Sequence, residues 1–281
     1  MAAGESVLIT GGSSGIGWAA AGLLARKGYR VFATTRSLDR RRDVVEEAAR
    51  KYAGKITFIE MDATSDESVE RCVAKVIGAC QRIDNLVCNA GIAIIGSIEE
   101  TPISLVRAQI DVNLLGYIRT LQAVVPHMRR QGGGRIVLVG SLASILAIPY
   151  QSHYSMSKYA VEALAEGLRQ EVRRFGITVS SLRPGDIRTR IHQDSLRHLP
   201  ADSPYGRWSA RAVAAMDRGI AKAPLPDVVA LKIHRILAAR RPRRSYTVAD
   251  FWSRLAPLFL PWFPRGLKEK IVRIFYDVDF S

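Results

Sequence analysis

A single α/β domain, a doubly wound parallel sheet flanked by helices, is the fold this sequence predicts, on three observations. Strand-like runs alternate with helix-like runs from Val7 to Val248. The strand runs are short and apolar on both faces, as strands covered by helices on each side must be. The glycines, hydroxyls and charges of chemical interest fall at the carboxyl ends of those runs, where open α/β sheets bind ligands.

In order, Val7 to Thr10 reads as a strand, Ile16 to Lys27 as a helix, Arg30 to Thr35 as a second strand and Asp39 to Tyr52 as a polar-faced helix. Strand Ile56 to Glu60, helix Asp66 to Gln81 and strand Asn85 to Cys88 follow. Pro102 suits a first helical turn because it lacks the N–H that turn leaves unbonded, so one long helix is expected from there to Arg130. Arg135 to Gly140 is a strand, and Tyr154 to Phe175 a helix closed by Gly176. Ile177 to Leu182, a helix from Pro226 to Arg240 and a strand from Arg244 to Val248 complete the series. Right-handed crossovers between parallel strands make such a sheet doubly wound.

The chain has 281 residues, 48% of them apolar, enough for a large core. Met1 to Glu5 runs straight into the first strand with no secretory pattern, and no apolar run is long enough to span a bilayer. A cytoplasmic protein, with peripheral membrane contact as the variant, is the expectation. Cys72, Cys80 and Cys88 are an odd number without metal-site spacing, so free packed thiols and no metal are expected. The five histidines show no ligand spacing either; His153 has a loop, surface or pocket role. The net charge of +15 is spread along the chain rather than gathered into a nucleic-acid module, which leaves solubility together with binding of a phosphorylated cofactor, or an anionic membrane surface, as its reading.

The first strand ends in Thr10-Gly11-Gly12-Ser13-Ser14-Gly15-Ile16-Gly17. Glycines let the backbone turn tightly and approach a pyrophosphate, while the next helix offers its N-terminal amides. An ordinary strand-to-helix turn is the bland alternative. At the end of the second strand, Thr34-Thr35-Arg36-Ser37 has no acid to hold a ribose 2′-hydroxyl. Arg36, assisted by Ser13, can hold a 2′-phosphate instead, although a solvated arginine reads the same way. NADP(H) is favoured over NAD(H).

Ser141 ends a strand, and Tyr154-Ser155-Met156-Ser157-Lys158 opens the following helix. Residues at i and i+4 share a helix face, so Lys158 can lie beside Tyr154. A phenol titrates near 10, too high for easy proton transfer at neutral pH. A cation about 4 Å away supplies on the order of 4 kcal/mol at an effective dielectric of 20, enough to lower it by 2–3 units. An ordinary surface pair is the alternative for that motif alone.

Together these motifs resemble the short-chain dehydrogenase/reductase family, over about Ser6 to Arg190. The resemblance implies a Rossmann-like sheet and a catalytic tetrad of Asn113, Ser141, Tyr154 and Lys158. Tyr154 would exchange a proton with the carbonyl oxygen, Ser141 would hydrogen-bond that oxygen, Lys158 would lower the phenol pKa and bind ribose, and Asn113 would hold a water. It also implies cofactor contacts from Gly11, Ser13, Ser14, Gly15, Ile16 and Gly17, from Asp62 and Ala63 beside the adenine, and from Asn89-Ala90-Gly91. Pro184, Gly185, Ile187 and Thr189 would flank the nicotinamide, with Asp186 more polar than the residue the family usually has there.

By the same resemblance, residues 191–222 form a substrate lid within a domain of residues 1–248. Leu196, Leu199, Tyr205, Trp208 and Met216 would line the substrate pocket or simply pack. Residues 249–281 form an aromatic, basic C-terminal extension. Its Phe251 to Arg265 stretch suits a membrane surface, a subunit contact in a homo-oligomer, or a flap over the pocket. The tail and Ala33-Thr34-Thr35-Arg36 look similar to hydroxysteroid and retinol dehydrogenases. An NADP(H)-dependent oxidoreductase acting on a hydrophobic ketone, aldehyde or alcohol is therefore expected. An NAD-dependent secondary alcohol dehydrogenase and a non-catalytic cofactor-binding scaffold are the alternatives.

Overall fold

The computed structural model describes residues 4–189, 191, 195–249 and 263–278. Seven strands form one parallel sheet: β1 (Ser6–Ile9), β2 (Arg30–Thr35), β3 (Ile56–Glu60), β4 (Asn85–Cys88), β6 (Gly134–Val139), β7 (Ile177–Pro184) and β9 (Ser245–Val248), in the order β3-β2-β1-β4-β6-β7-β9. The order runs one way from β1 through β2 to β3 and the other way from β4 onward. The crevice where a sheet of this kind takes its ligand thus opens beyond β1 and β4.

Alternation along each strand divides the core into two layers. Leu8, Leu86, Ile136 and Leu138 face one cluster, formed with helices α3 (Asp66–Cys80), α5 (Gly116–Arg130) and α6 (Ser152–Val172). Their neighbours Val7, Ile9, Val87, Val137 and Val139 face the other, with α1 (Gly15–Arg26), α2 (Arg42–Tyr52) and α8 (Asp227–Ala238). With side chains on both faces largely buried, the central strands β1, β4 and β6 carry one polar side chain each, Ser6, Asn85 and Arg135. Cys72 and Cys88 sit in the first cluster and Cys80 packs against it, all three as free thiols. Burial pushes the Cys72 thiol up to about 12, so it is inert at neutral pH.

The expected helix from Pro102 to Arg130 is interrupted. Helix α4 (Ile103–Ile110) passes through a π-helical turn, Asp111–Leu115, before α5 begins at Gly116. Pro102 caps α4 rather than entering its first turn. The widened turn lets Asn113 reach inward, fully buried, to the backbone of Ile92: its Nδ2 donates to the Ile92 carbonyl at 3.0 Å and its Oδ1 accepts from the Ile92 N–H at 2.8 Å. Such turns recur where a helix must place one side chain out of phase.

Residues 195–222 contain two elements that the sequence pattern did not display. Strand β8 (Leu196–Arg197) pairs in parallel with β5 (Ile94–Ile95), and helix α7 spans Gly206–Lys222. A further helix, α9, spans Arg265–Phe275. Most of the aromatic stretch from Phe251 lies outside the described residues, as does His192. No helix among the described residues is long and apolar enough to cross a membrane.

Candidate active site

A long cleft runs across the carboxyl ends of β1, β2, β4, β6 and β7, and every residue expected at the site lines it except Gly17 and Asn113, which lie behind its wall. At its first end, Gly11 and Gly15 adopt left-handed backbone, φ 65° and 51°, which favours glycine. A Cβ on Gly17 would stand 2.2 Å from the Gly11 carbonyl oxygen and 2.7 Å from Asn89 Nδ2, so the turn folds onto itself only with glycine there. Thr10 and Asn89 tie the turn to β4: Asn89 Nδ2 donates to the Thr10 carbonyl at 2.9 Å, and Thr10 Oγ1 accepts from the Asn89 and Ala90 N–H groups at 2.9 and 3.0 Å. Thr10 is the residue that sequence reasoning passed over; a threonine ending the strand before a glycine run was the available signal. Helix α1 starts here with Ser14 at its N-cap, no side-chain cap and no acid in its first turn. Its amides therefore point into the cleft, a fit for a pyrophosphate.

Beyond β2, Arg36 is exposed and lines the same end of the cleft, joined by Arg40 and Arg41, while Arg42 turns to Asp39 at 3.4 Å. Thr35 ends β2 buried, and its Oγ1 accepts from Ser13 Oγ at 3.3 Å. β2 itself runs on into Arg36 and Ser37 without an acid, while Glu60, at the end of β3, accepts from the Leu38 N–H at 3.2 Å and lines the same end of the cleft. Asp62 and Ala63 follow β3, and the Asp62 carboxylate accepts from the Thr64 N–H at 2.9 Å.

At the other end of the cleft, Ser141 follows β6 and Tyr154 and Lys158 descend from the first turns of α6. Ser141 draws the Tyr154 phenol pKa down, and its Oγ accepts from the Ala143 N–H at 3.1 Å. Lys158 is buried; its Nζ donates to the Val139 carbonyl at 3.2 Å and lies 5.7 Å from the centre of the Tyr154 ring. Asn113 reaches this group through Ser157, whose Oγ accepts from Asn113 Nδ2 at 3.1 Å and donates to the Tyr154 carbonyl at 2.7 Å. The Asn113 side chain thus ties the Ile92 backbone to Ser157. A Cβ on Gly91 would meet Asn113 Oδ1 at 3.2 Å and Lys158 Nζ at 3.8 Å, so this glycine keeps the space beside the lysine open.

The charge states differ from the sequence expectation. Burial pushes the Tyr154 phenol up to about 12; Ser141 pulls it down, and the Asp186 carboxylate raises it further. Burial also pulls the Lys158 ammonium down, to about 8. Burial thus outweighs whatever lowering Lys158 gives the Tyr154 phenol. Spacing placed the cation near the phenol, but the same dry environment disfavours both charges.

Of the two readings left open for the apolar residues of the lid, pocket lining is not the one the structure shows, and His153 also departs from expectation. Leu196, Leu199, Tyr205, Trp208 and Met216 do not line the cleft. Leu196 is 48% exposed, Tyr205 donates to Glu99, Trp208 lies between Arg207 and Arg211, and Met216 packs in a satellite core with Ile95, Ala212, Val213 and Val278. The apolar wall comes instead from Leu142, Leu146 and Ile148 and from Ile271, Val272 and Phe275 of α9. His153 is neither a loop nor a pocket residue but buried in α6, where desolvation lowers its pKa.

A doubly wound sheet with a glycine turn at its switch point, and a Ser, Tyr and Lys gathered at the neighbouring strand ends, defines a nicotinamide dinucleotide-dependent class of oxidoreductase. The model of the short chain dehydrogenase family matches residues 5–199. The chain belongs to the short-chain dehydrogenase/reductase family, a family of oxidoreductases acting on carbonyl and alcohol groups. It is 30% identical to the 3-ketodihydrosphingosine reductase of Bacteroides thetaiotaomicron over 98% of each chain. Rat estradiol 17-beta-dehydrogenase 1 is 38% identical over 66% of this chain and 55% of its own length, which bears out the likeness to hydroxysteroid dehydrogenases. Among solved structures, a short-chain dehydrogenase from Streptomyces avermitilis superposes with a TM-score of 0.81 at 27% identity, covering 99% and 100% of the two chains. An alcohol dehydrogenase from Thermococcus sibiricus, complexed with 5-hydroxy-NADP, gives 0.73 at 27% identity over 88% and 97%.

Proposed function

We propose that the protein is an NADP(H)-dependent reductase of ketones or aldehydes on a hydrophobic, steroid-, retinoid- or lipid-like substrate, with Asn113, Ser141, Tyr154 and Lys158 as its catalytic group. The observation that carries the reading is the convergence of Ser141, Tyr154 and Lys158 on one end of a cleft whose other end holds a glycine turn and Arg36. When bound, the nicotinamide supplies or accepts the hydride; the protein supplies position and charge.

Gly11, Ser13, Ser14, Gly15 and Ile16 take the pyrophosphate against the α1 amides, with Gly17 behind them keeping the turn folded, and Asn89, Ala90 and Gly91 support the adenosine side with Asp62 and Ala63. Pro184, Gly185, Ile187 and Thr189 close over the nicotinamide. Arg36 takes the 2′-phosphate, with Arg40 and Arg41 adding attraction. β2 runs on into Arg36 and Ser37 with no acid of its own to hold a 2′-hydroxyl, and Glu60, beside it on β3, is engaged by the Leu38 N–H.

Ser141 and Tyr154 donate hydrogen bonds to the carbonyl oxygen, which polarises it. As the carbonyl carbon gains the hydride, Tyr154 gives its proton to the oxygen, and the product is an alcohol. A phenol held protonated by burial has the proton to give. Lys158 supports the resulting phenolate and binds the ribose. Asn113 holds the Ile92 backbone and Ser157, and so acts by positioning. The apolar wall of the substrate end, together with relatives acting on 3-ketodihydrosphingosine and estradiol, supports a lipophilic substrate.

Parallel fluorescence titrations with NADPH and NADH at fixed salt test the cofactor assignment. Tighter NADPH binding, weakened roughly 10- to 100-fold by Arg36→Ala while NADH binding is unchanged, is expected. Equal or tighter NADH binding would transfer the reading to an NAD-dependent alcohol dehydrogenase.

A further inference from the structure

Helix α5 brings a second phenol to the catalytic group. Tyr117 stands in its first turn, just after the π turn that carries Asn113. Where Asn113 reaches Ile92 and Ser157, Tyr117 reaches the end of β6: it is 1% exposed, and its hydroxyl donates to the Val139 carbonyl at 3.0 Å. That carbonyl, two residues before Ser141, also accepts from Lys158 Nζ at 3.2 Å, so its two lone pairs serve the two side chains together. The Lys158 ammonium lies over two rings at equal distance, 5.7 Å from the centre of Tyr117 and 5.7 Å from that of Tyr154.

A charge in so dry a place needs such company. Burial pulls the ammonium down, and the neighbouring acids are engaged elsewhere. Glu162, one turn further along α6, accepts from Arg183 and Ser181, and Asp186, just past β7, acts on the Tyr154 phenol. Cys88 of β4, which acts on Tyr117, is a thiol that burial keeps protonated. What favours the charged lysine is therefore the Val139 carbonyl and the negative faces of the two rings. The rings differ in one respect. Tyr154 gives up its proton during reduction, whereas burial holds the Tyr117 phenol far above its ordinary value, so its ring presents the same face at every working pH.

Resting on the reductase reading above, we propose that Tyr117 is a positioning residue for Lys158: its ring keeps the ammonium charged, and its hydroxyl, by holding the Val139 carbonyl, fixes where that ammonium stands. One N–H of Lys158 goes to the carbonyl, which leaves two for the ribose and the Tyr154 oxygen. A desolvated ring face attracts a cation strongly enough to hold the lysine's titration up by roughly 0.5 to 1.5 pH units. With the ammonium at about 8, that margin decides how much of it is charged at neutral pH.

The test grades the ring while keeping its shape. Tyr117→Phe is made in the full chain, together with the same variant carrying one, two or three fluorines on the ring, each of which draws negative charge from the face at nearly constant volume. Lys158 is then titrated twice: as the upper limb of kcat/KM for ketone reduction, and, without cofactor, by the NMR signal of its carbon-13-labelled side chain, identified by its loss in Lys158→Met. Tyr117→Phe is expected to leave that pKa within about 0.3 unit of wild type and to lower kcat roughly 3- to 10-fold through the lost hydroxyl. Three fluorines are expected to lower the pKa by a further 0.5 to 1.5 units or roughly so, in step with their number. Thermal melts show that each variant keeps its fold. A lysine pKa that stays fixed from Tyr117→Phe to the trifluoro ring overturns the ring's role, since packing alone predicts that result, and a kcat of Tyr117→Phe equal to wild type overturns the hydroxyl's; ketone turnover in either case leaves the reductase reading standing. If wild-type protein oxidises NADPH with no ketone, the reductase reading fails and this inference falls with it.

Discussion

Replacing the buried lysine is expected to make the protein more stable and inactive at once. Burial lowers the Lys158 ammonium from its ordinary 10.5 to about 8, so the folded chain holds that proton less tightly than the unfolded chain does. Folding at neutral pH thus carries a cost, worth about 3 kcal/mol from that difference. Lys158→Met removes the charge with little change in volume. It also loses the bond from Nζ to the Val139 carbonyl, about 1 kcal/mol, but that oxygen keeps the Tyr117 hydroxyl at 3.0 Å. The net gain is about 2 kcal/mol, a rise on the order of 3–8 °C in Tm. The sign has a pH signature. The penalty is complete below the folded pKa of about 8 and is relieved as the pH climbs toward the unfolded value of 10.5. Thermal melts of both proteins at pH 6.5 and 9.5, without cofactor, read it directly. The wild-type protein should gain on the variant at the higher pH by roughly 1–2 kcal/mol. A variant less stable than wild type at pH 6.5, with a gap that does not move with pH, would refute the reasoning.

The same lysine governs a kinetic profile. The kcat/KM for ketone reduction should fall as the pH rises through about 8, where Lys158 loses its charge, while Tyr154, near 12, stays protonated throughout; a flat profile to pH 10 would contradict this, and initial rates at saturating NADPH measure it. Gly17→Ala should cost more than about 2 kcal/mol in urea unfolding and abolish NADPH binding, since its methyl would stand 2.2 Å from the Gly11 carbonyl oxygen. Gly28→Ala is the comparison, with nothing within 4 Å of its added methyl; at φ 90° it should cost stability through backbone strain and leave NADPH binding intact.

The central strands β1, β4 and β6 were legible because each is a short run of side chains largely buried on both faces, while β3 and β9 at the edges are only partly covered. The cofactor turn was legible for a similar reason: Gly11, Gly15 and Gly17 each answer a backbone need that another residue fails to meet. The π turn at Asp111–Leu115 was not, because Val112, Leu114 and Leu115 continue the apolar pattern while the extra backbone residue shifts its phase. Helix α9 was hidden by the prolines before it, although Pro264 is the N-cap from which it starts. Apolar residues from Leu196 to Met216 advertised a pocket, but hydrophobicity does not say which wall of a lid a residue faces. The Tyr154–Lys158 pair was found from spacing alone, whereas its charge states were misread because they depend on burial. Asp186 was visible in the sequence as an oddity; only the cleft around it gives that oddity a place.

The most direct test is the rate of ketone-dependent NADPH oxidation by wild-type protein and by Tyr154→Phe, with NADPH binding measured on the same preparations. The proton-donor role predicts a loss of about 100- to 10,000-fold in kcat with the NADPH Kd within roughly twofold of wild type. Turnover that survives in Tyr154→Phe at anything near the wild-type rate would contradict the assignment of Tyr154, and with it the mechanism built around this cleft.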